Sequence, residues 1–375
     1  MPRKKLLKEV KRIVVKVGTS SITEEGLLSS KKINRLVSDI TELRERGYKV
    51  VLVSSGAISA GAGLLKKNKT NLTIQEKQAL AAIGQTALMN EYRKRFEKKG
   101  ILVGQILLTE DDVKHRRRFL NARNTMNALF AMGMLPIVNE NDTVVVKEIK
   151  FGDNDTLSAH VTNIVDAELL ILLSDVKGLY KDMSDTEPLD EVNRITPEIQ
   201  EMCGESGTIH GTGGMHTKIK AAEMILDFGE NMIIASSSLP RVLNRIMDGE
   251  RIGTLFTHSE KPLSSKKKWL SARTTRGEIV IDDGAVDAIR DKNKSLLATG
   301  VKDVKGNFDM GEIVAVVSES GELIAKGVVK YNTHELNSVK GKKSQEIKKL
   351  FGIKYFEEVI HKNDILVIKN QVNEK

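Results

Sequence analysis

The amino-acid sequence predicts an α/β fold, a mostly parallel sheet sandwiched by helices, followed by a small β-rich domain. Between residue 12 and about residue 256, short β-branched runs alternate with longer helical segments, which is typical of βαβ units. The strand candidates are apolar on both faces, as in a parallel sheet that helices cover on both sides. After about residue 275 the strands are shorter and turn signals separate them. A length of 375 residues fits two domains.

The predicted elements of the first domain follow one another along the chain. Strands are predicted at IVVKV (13–17), KVVLVS (49–54), ILVGQILL (101–108), LPIVN (135–139), ELLILL (168–173) and NMIIAS (231–236). Between them, apolar residues at helical spacing predict helices over 31–46, 74–99, 116–132 and 214–228. Ligands of such sheets bind beyond the carboxyl ends of the strands, and the polar and glycine-rich clusters of this chain follow its strands.

A change of composition separates the two predicted domains. The stretch HSEKPLSSKKKWLSAR (258–273) is rich in Ser and Lys and predicts a linker. We therefore predict a catalytic domain over 1–258, a linker over 259–274 and a β-rich domain over 275–370. Within the latter, SESGEL between two apolar runs predicts a hairpin.

Composition limits the class of protein. No apolar run approaches the length of a membrane span, and the basic N-terminus leads into a strand rather than a signal peptide. The single cysteine, Cys203, excludes an intramolecular disulfide and fits a reducing compartment, so we expect a cytoplasmic protein. Of the net charge of +9, the last third holds +6, with 22 Lys and Arg against 16 Asp and Glu over 261–375.

Two clusters that could bind anions follow the first two strands. In VVKVGTSSIT (14–23), Lys16 ends a buried strand and Gly18 leaves backbone N–H groups available to a phosphate. In VSSGAISAGAGLL (53–65), Ser55 and Gly56 stand at a strand-to-helix junction. Taken alone, Lys16 could equally emerge into solvent, and the serines could equally cap a helix.

A third cluster is acidic and amide-rich. PIVNENDTVVV (136–146) contributes Asn139 and Asp142, and KFGDNDTLSAH (150–160) contributes Asp153, Asn154 and Asp155. The run DNDT resembles the start of a calcium loop, but the Gly and Glu that an EF-hand requires are absent. A helix cap remains an open alternative for Asp153 or Asn154.

The fourth cluster combines LLSDVKGLYKDM (172–183) with GTGGMHTKIKAA (211–222). Ser174 and Asp175 follow an apolar strand, and the glycine-rich loop enters a helix that carries Lys218. Such a loop can wrap phosphates, with the lysine as a cation. A flexible surface loop and a solvated lysine are the plainer reading of the same residues. The histidines show no zinc-binding spacing, and no GxSxG nucleophile element is present.

These pieces, in this order, resemble the amino acid kinase family. The resemblance rests on VVKVGTS (14–20), VSSGAISAG (53–61), NENDTV (139–144), KFGDNDTLSA (150–159), LLSDVKGLY (172–180) and GTGGMHTKIKAA (211–222). The pair NENDTV and FGDNDTLSA resembles the branch of the family that phosphorylates the γ-carboxylate of L-glutamate with ATP. The tail, with GEIVIDDGAVDAI (277–289) and GELIAKGVVKY (321–331), resembles a PUA domain, a small pseudo-barrel.

The resemblance implies a role for each matching residue. Lys16 and Lys218 are expected to supply positive charge to the transferring phosphoryl group together with Mg²⁺, and Asp155 to hold both lysines. The residues expected to bind the amino-acid substrate are Ser55, Gly56, Asn139, Asp142 and Asn154. Those expected to bind ATP are Lys16, Gly18, Ser174, Asp175, Thr212, Gly213, Gly214, Met215, His216, Thr217 and Lys218.

The resemblance also implies partners and leaves rivals open. It implies L-glutamate as substrate, proline as a feedback inhibitor and a homo-oligomer, a dimer or a tetramer. One rival is a kinase of the same fold that acts on a different acceptor. A second is an RNA-binding or RNA-modifying protein led by its PUA-like tail, although that tail interleaves few aromatic residues with its lysines.

Overall fold

The chain divides into two compact units, Met1–Pro262 and Leu263–Lys375. The computed structural model describes residues 3–67, 72–144, 154–182, 184–202, 214–258, 274–351, 356 and 358–368. The predicted linker lies almost wholly outside the described residues, which resume at Thr274. The two units are described in turn.

The first unit alternates strands and helices along most of its length. Its elements are α1 (Arg3–Lys8), β1 (Arg12–Val17), α2 (Thr19–Ile22), β2 (Thr23–Glu24), β3 (Leu27–Leu28), α3 (Ser30–Glu45), β4 (Lys49–Ser54), α4 (Ala57–Leu64), α5 (Ile74–Glu97), β5 (Val103–Leu108), α6 (Glu110–Lys114), α7 (Arg116–Ala131), β6 (Leu135–Glu140), α8 (Asn154–Ile164), β7 (Leu169–Ser174), β8 (Glu191–Val192), α9 (Pro197–Glu201), α10 (Met215–Asp227), β9 (Asn231–Ser236), α11 (Val242–Met247) and β10 (Thr254–Phe256).

Eight strands of this unit form one sheet in the order β5-β6-β4-β1-β7-β9-β10-β8. The six strands that the sequence predicts are all present and all parallel to one another, so the α/β prediction is confirmed. From β1 the sheet extends in one direction through β4, β6 and β5, and in the other through β7, β9, β10 and β8. Because these strands are parallel, their carboxyl ends meet at one edge of the sheet, which we call the carboxyl edge.

Helices cover both faces of the sheet. Residues of α1, α3, α5 and α11 share a continuous apolar core with one face, and α7, α8 and α10 pack against strands on the other. On β1, Ile13, Val15 and Val17 belong to the first core. Because side chains alternate along a strand, Lys16 projects toward the opposite face, against which α8 packs.

Two short strands at one side of the sheet were not predicted. Strand β10 pairs antiparallel with β9 and parallel with β8. Each of the two has three residues or fewer, which is too short for a hydrophobic period to show in the sequence. Their place in the sheet depends on pairing with strands distant in the chain.

The second unit is built on a five-stranded sheet in the order β12-β11-β13-β14-β15. Its elements are β11 (Gly277–Ile281), α12 (Asp283–Arg290), β12 (Val301–Gly306), β13 (Ile313–Ser318), β14 (Leu323–Val328), α13 (Thr333–Val339), α14 (Ser344–Phe351) and β15 (Ile365–Val367). The predicted hairpin joins β13 to β14 in antiparallel pairing. Asp282 ends the first strand early because its side chain accepts from the Ala285 N–H and caps α12.

Among the described residues, no helix is both long enough and apolar enough to cross a membrane.

Candidate active site

The register of the central strands brings three predicted clusters together at the carboxyl edge. Val17 at the end of β1 pairs with Ser54 of β4 on one side and with Leu173 of β7 on the other. Gly18 and Ser55 follow β1 and β4, and Ser174 is the last residue of β7. The three residues therefore lie along one short stretch of the edge. Neighbouring parallel strands are about 4.8 Å apart, so one small ligand can reach all three clusters.

A buried group of three charged residues lies beside this stretch. Lys16 Nζ is 2.5 Å from Asp155 Oδ1, and Lys218 Nζ is 3.5 Å from Asp155 Oδ2. Asp155 has no exposed surface, and both lysines are less than a tenth exposed. Buried charges require partners of opposite sign, and here one carboxylate serves two ammonium groups. The three residues together carry one net positive charge, which suits a site for an anion.

Local structure fixes the orientation of Asp155. The residue lies in the first turn of α8, where a negative charge interacts favourably with the helix dipole. Thr217 Oγ1 donates a 2.9 Å hydrogen bond to Asp155 Oδ2, and Ser158 Oγ donates to the Asp155 backbone carbonyl at 2.6 Å.

Burial lowers the pKa of His160, one helical turn further along, to about 4. That imidazole is neutral at neutral pH and adds no charge nearby.

Neutral polar side chains form the neighbouring part of the site. Asn154 Nδ2 donates to Ser55 Oγ at 2.8 Å and to Asn139 Oδ1 at 2.9 Å. The three residues come from the N-terminus of α8, the end of β4 and the end of β6. Groups of this kind can hold the polar ends of a small molecule without placing further charge in the interior.

Two glycines, Gly18 and Gly56, lie just after the strand ends and have different roles. Gly56 has φ +104°, a left-handed conformation that L side chains rarely adopt, and a Cβ there would lie 2.9 Å from Ile22 Cδ1. At Gly18, a Cβ would lie 3.8 Å from Lys16 Nζ, in ordinary contact. Gly56 is therefore required by the turn into α4, whereas Gly18 leaves the space beside the lysine open.

Comparison with known proteins identifies the family of this chain. The model of the amino acid kinase family matches residues 11–236. The chain belongs to the amino acid kinase family. The PUA domain model matches residues 277–351. Both resemblances noted in the sequence are thereby confirmed, and the first unit contains the amino acid kinase domain.

Full-length relatives give a finer comparison. "Glutamate 5-kinase" of Syntrophotalea carbinolica is 45% identical over 372 residues, covering 98% of this chain and 100% of the relative. "Glutamate 5-kinase" of Thermoanaerobacter sp. is 45% identical over 364 residues, covering 96% of this chain and 98% of the relative. Among solved structures, carbamate kinase from Giardia lamblia bound to AMP-PNP covers 67% of this chain and 99% of its own, with a TM-score of 0.49 and 17% identity.

The kinase domain brings most of the predicted site residues to the carboxyl edge. Asp142 lies in the turn after β6, half-buried. Ser174 is buried and its Oγ donates to Asp175 Oδ1 at 2.9 Å, while Asp175 itself is exposed. Gly214, Met215, His216 and Thr217 open α10 ahead of Lys218, with Gly214 at its N-cap. Asp153, Thr212 and Gly213 lie outside the described residues.

The structure adds residues that the sequence did not single out. Gln85 of α5 accepts a 2.8 Å hydrogen bond from Asn139 Nδ2. Tyr92 of the same helix, fully buried, bonds to Ser54 Oγ at 2.9 Å, and burial raises the pKa of its phenol. The sequence could not identify either residue, because the local pattern around a polar residue in a long helix does not indicate which strand that residue contacts.

A cavity of about 370 Å³ opens at the same edge of the amino acid kinase domain, toward the face covered by α3. Asp175 lines it, together with Val17, Arg35 and Ser238. Among the described residues, no three His, Cys, Asp or Glu side chains lie close enough to one another to hold a metal ion.

Proposed function

We propose that this chain transfers the γ-phosphoryl group of ATP to the γ-carboxylate of L-glutamate, forming L-glutamyl 5-phosphate in the first step of proline biosynthesis. The observation that carries the proposal is the alignment of nearly the whole chain with relatives named glutamate 5-kinase, at 45% identity. The geometry agrees with it, because a buried cationic group adjoins a cluster of neutral polar side chains at the carboxyl edge.

The acceptor needs little chemical activation. A carboxylate is ionised at neutral pH and is already a nucleophile, so the reaction requires no general base. The main barrier is repulsion among anions and the charge on the transferring phosphoryl group. The site therefore acts by positioning its two substrates and by placing fixed positive charge where negative charge collects.

Lys16 and Lys218 are proposed to supply that positive charge. Both ammonium groups are held by Asp155, at 2.5 Å and 3.5 Å. Because the two lysines come from opposite ends of the kinase domain, a shared carboxylate keeps their spacing constant while the phosphoryl group moves between the substrates. Asp155 would act on the reaction through the lysines rather than by contact with substrate.

The hydrogen-bonded cluster of Ser55, Asn139 and Asn154 is proposed to bind glutamate. Asp142, in the turn after β6, suits the α-ammonium group as a carboxylate partner. Gly56 would offer its backbone N–H to the acceptor. These assignments place the amino acid beside the lysines, with its γ-carboxylate toward them.

The nucleotide is proposed to lie on the other side of the lysines. Gly18 and the start of α10, from Gly214 to Thr217, would meet the phosphates with backbone N–H groups, and Ser174 and Asp175 would meet the nucleoside. The residues Thr212 and Gly213 complete the predicted loop. Mg²⁺ is proposed to bind mainly to phosphate oxygens and water. It would neutralise part of the phosphate charge.

Regulation and assembly belong to the same proposal. Proline is proposed to inhibit by binding at a site that overlaps that of glutamate, and the kinase domain is proposed to form a dimer or a tetramer. The single cysteine fits a protein that works in the reducing cytoplasm.

Trapping the acyl phosphate tests the reaction. The purified chain is incubated with ATP, Mg²⁺ and hydroxylamine, and with L-glutamate, L-aspartate or N-acetyl-L-glutamate. We expect glutamyl hydroxamate, with a kcat/KM for glutamate at least about 100-fold above the other acids, because a misplaced or missing polar group leaves site groups unpaired. Hydroxamate from another acid, with none from glutamate, would contradict the proposal.

A further inference from the structure

A chain of neutral amides connects the candidate glutamate-binding cluster to α5. Gln85 Oε1 accepts from Asn139 Nδ2 at 2.8 Å, and Asn139 Oδ1 accepts from Asn154 Nδ2 at 2.9 Å. Gln85, Asn139 and Asn154 are each less than a tenth exposed. We call this series the amide relay. The proposed mechanism uses Asn139 and Asn154 but leaves Gln85 without a role.

A backbone group sets the direction of the amide relay. The Glu140 N–H donates to Asn139 Oδ1 at 2.8 Å. A backbone N–H can only donate, so the Asn139 atom facing it must be the carbonyl oxygen. The two ends of an amide are otherwise assigned from their surroundings, and here the surroundings allow one orientation. Asn139 Nδ2 must then face Gln85, and Asn154 must turn its nitrogen toward Asn139.

This direction leaves an acceptor at the far end of the amide relay. The two hydrogens of Asn154 Nδ2 are used by Ser55 and Asn139. Asn154 Oδ1 is buried and has no hydrogen-bond partner among the residues that the structure describes. A buried acceptor without a donor is costly. An α-ammonium group has only hydrogens to donate, so it complements this oxygen.

We propose that Gln85 is a positioning residue for the amino-acid substrate: it holds the amide relay in the orientation that presents the Asn154 carbonyl oxygen to the α-ammonium group. This inference rests on the proposed function. Without an acceptor at position 85, the buried Asn139 Nδ2 loses its partner. Any rotation that finds it another partner breaks the bond from the Glu140 N–H and the bond from Asn154 Nδ2. Asn154 is then held by Ser55 Oγ alone and can turn its carbonyl oxygen away from the substrate.

The first test replaces Gln85 with methionine, which has a similar shape but no strong acceptor. We expect Gln85→Met to raise the KM for L-glutamate about tenfold, as the loss of one oriented hydrogen bond in a buried site does. The KM for ATP and the kcat should stay within about threefold of wild type, because the lysines are held separately. Gln75→Met, at an exposed position of α5, is the matched control and should behave as wild type. A rise in both KM values, or in neither, would overturn the inference.

A double-mutant cycle tests whether Gln85 acts through Asn154. If it does, Gln85→Met should lower kcat/KM for glutamate in the wild-type background and lower it no further in an Asn154→Ala background. Additive losses would show a direct or merely structural role and would overturn the inference.

Inhibition by glutarate tests the ammonium group itself. Glutarate has both carboxylates of glutamate but no ammonium, so its Ki as a competitor should be the same in wild type and in Gln85→Met. An equal rise in this Ki and in the glutamate KM would show that Gln85 affects the binding of a substrate carboxylate rather than of the ammonium group. That result would overturn the inference. If the wild-type chain forms no glutamyl hydroxamate, the proposed function fails and this inference fails with it. If wild type forms it and Gln85→Met matches wild type in kcat/KM, this inference alone fails.

Discussion

Asp155 is the residue on which the geometry of the candidate site depends most. It is completely buried, it lies between Lys16 and Lys218, and Thr217 holds its second oxygen. Removing one partner from a buried ion pair leaves an uncompensated charge in the interior. The resulting loss of stability is larger than the stability that an exposed ion pair contributes. Because the group contains two lysines, one of them can be removed while the carboxylate keeps a cation.

Lys218→Ala is expected to lower kcat by about 10²- to 10³-fold, because its positive charge is used mainly in the transition state. The KM for glutamate should change by less than about threefold, and the melting temperature should stay close to that of wild type because Lys16 still pairs with Asp155. Steady-state kinetics measures kcat and KM, and a thermal melt measures the melting temperature.

Lys220→Ala removes an exposed lysine from the same helix and serves as the control. Equal kcat values in the two variants would contradict the role of Lys218.

Asp39 should make stability depend on pH. This carboxyl group of α3 is buried against α11. Burial raises its pKa to about 6, although the 3.3 Å hydrogen bond from the Leu243 N–H acts in the opposite direction. The ordinary pKa of an aspartate, which we use for the unfolded chain, is 3.8. Its contribution to stability is therefore complete below about pH 4 and is lost as pH rises through 6, a loss of about 3 kcal/mol.

Asp39→Asn removes this titration. Relative to wild type, the free energy of unfolding of the variant should rise by about 3 kcal/mol between pH 4 and pH 7. Denaturant unfolding at several pH values measures the difference. A constant difference between the two proteins would show that Asp39 titrates alike in the folded and unfolded states.

The contact between α4 and α5 brings Gln85 to the site. A Cβ at Gly84 would lie 1.8 Å from the Ala57 carbonyl oxygen, and one at Gly61 would lie 2.1 Å from the Leu80 carbonyl oxygen. Only glycines let the two helix backbones approach so closely. Since Gln85 follows Gly84 directly, the same contact carries its amide to Asn139.

Gly84→Ala should therefore affect stability and substrate binding together. Separating the helices should lower the free energy of unfolding by about 1–3 kcal/mol, the usual cost of overpacking. It should also raise the KM for glutamate more than the KM for ATP, because Gln85 attaches the amide relay to α5. Thr86→Ala, at an exposed position two residues away, should change neither quantity. A variant that loses stability while keeping its KM for glutamate would show that the amide relay tolerates the shift.

The described residues of the candidate site all belong to the first of the two compact units. That unit has its own eight-stranded sheet and apolar core, as an independently folding domain requires. The second unit has a separate core around its five strands. The kinase reaction is thus expected to depend on the first unit alone.

A chain shortened to residues 1–262 should retain glutamate phosphorylation within about threefold of the full-length kcat/KM, because a domain with its own core can fold alone. Circular dichroism confirms that the shortened chain is folded, and hydroxamate formation measures its activity. A folded but inactive product would show that the second unit contributes to the reaction.

The fold class and the family follow from local patterns of the sequence. Apolar strands alternating with helical periods predicted six parallel strands, and all six are present because burial on both faces leaves a strong signal in each one. The motifs around Lys16, Asp155 and Lys218 indicated which chemistry the site can perform. Their glycines, hydroxyls and charges lie close together in sequence and can be interpreted without coordinates.

The convergence of these motifs depends on tertiary structure. Lys16 of β1 and Lys218 of α10 meet at one carboxylate because α8, which carries Asp155, packs against both of these elements. Gln85 reaches Asn139 only because two glycines allow a close helix contact. A hydrogen bond between residues 54 positions apart leaves no periodicity in the chain. Patterns along a sequence report the burial of each element, whereas the pairing of one element with another is specified only when the whole core packs.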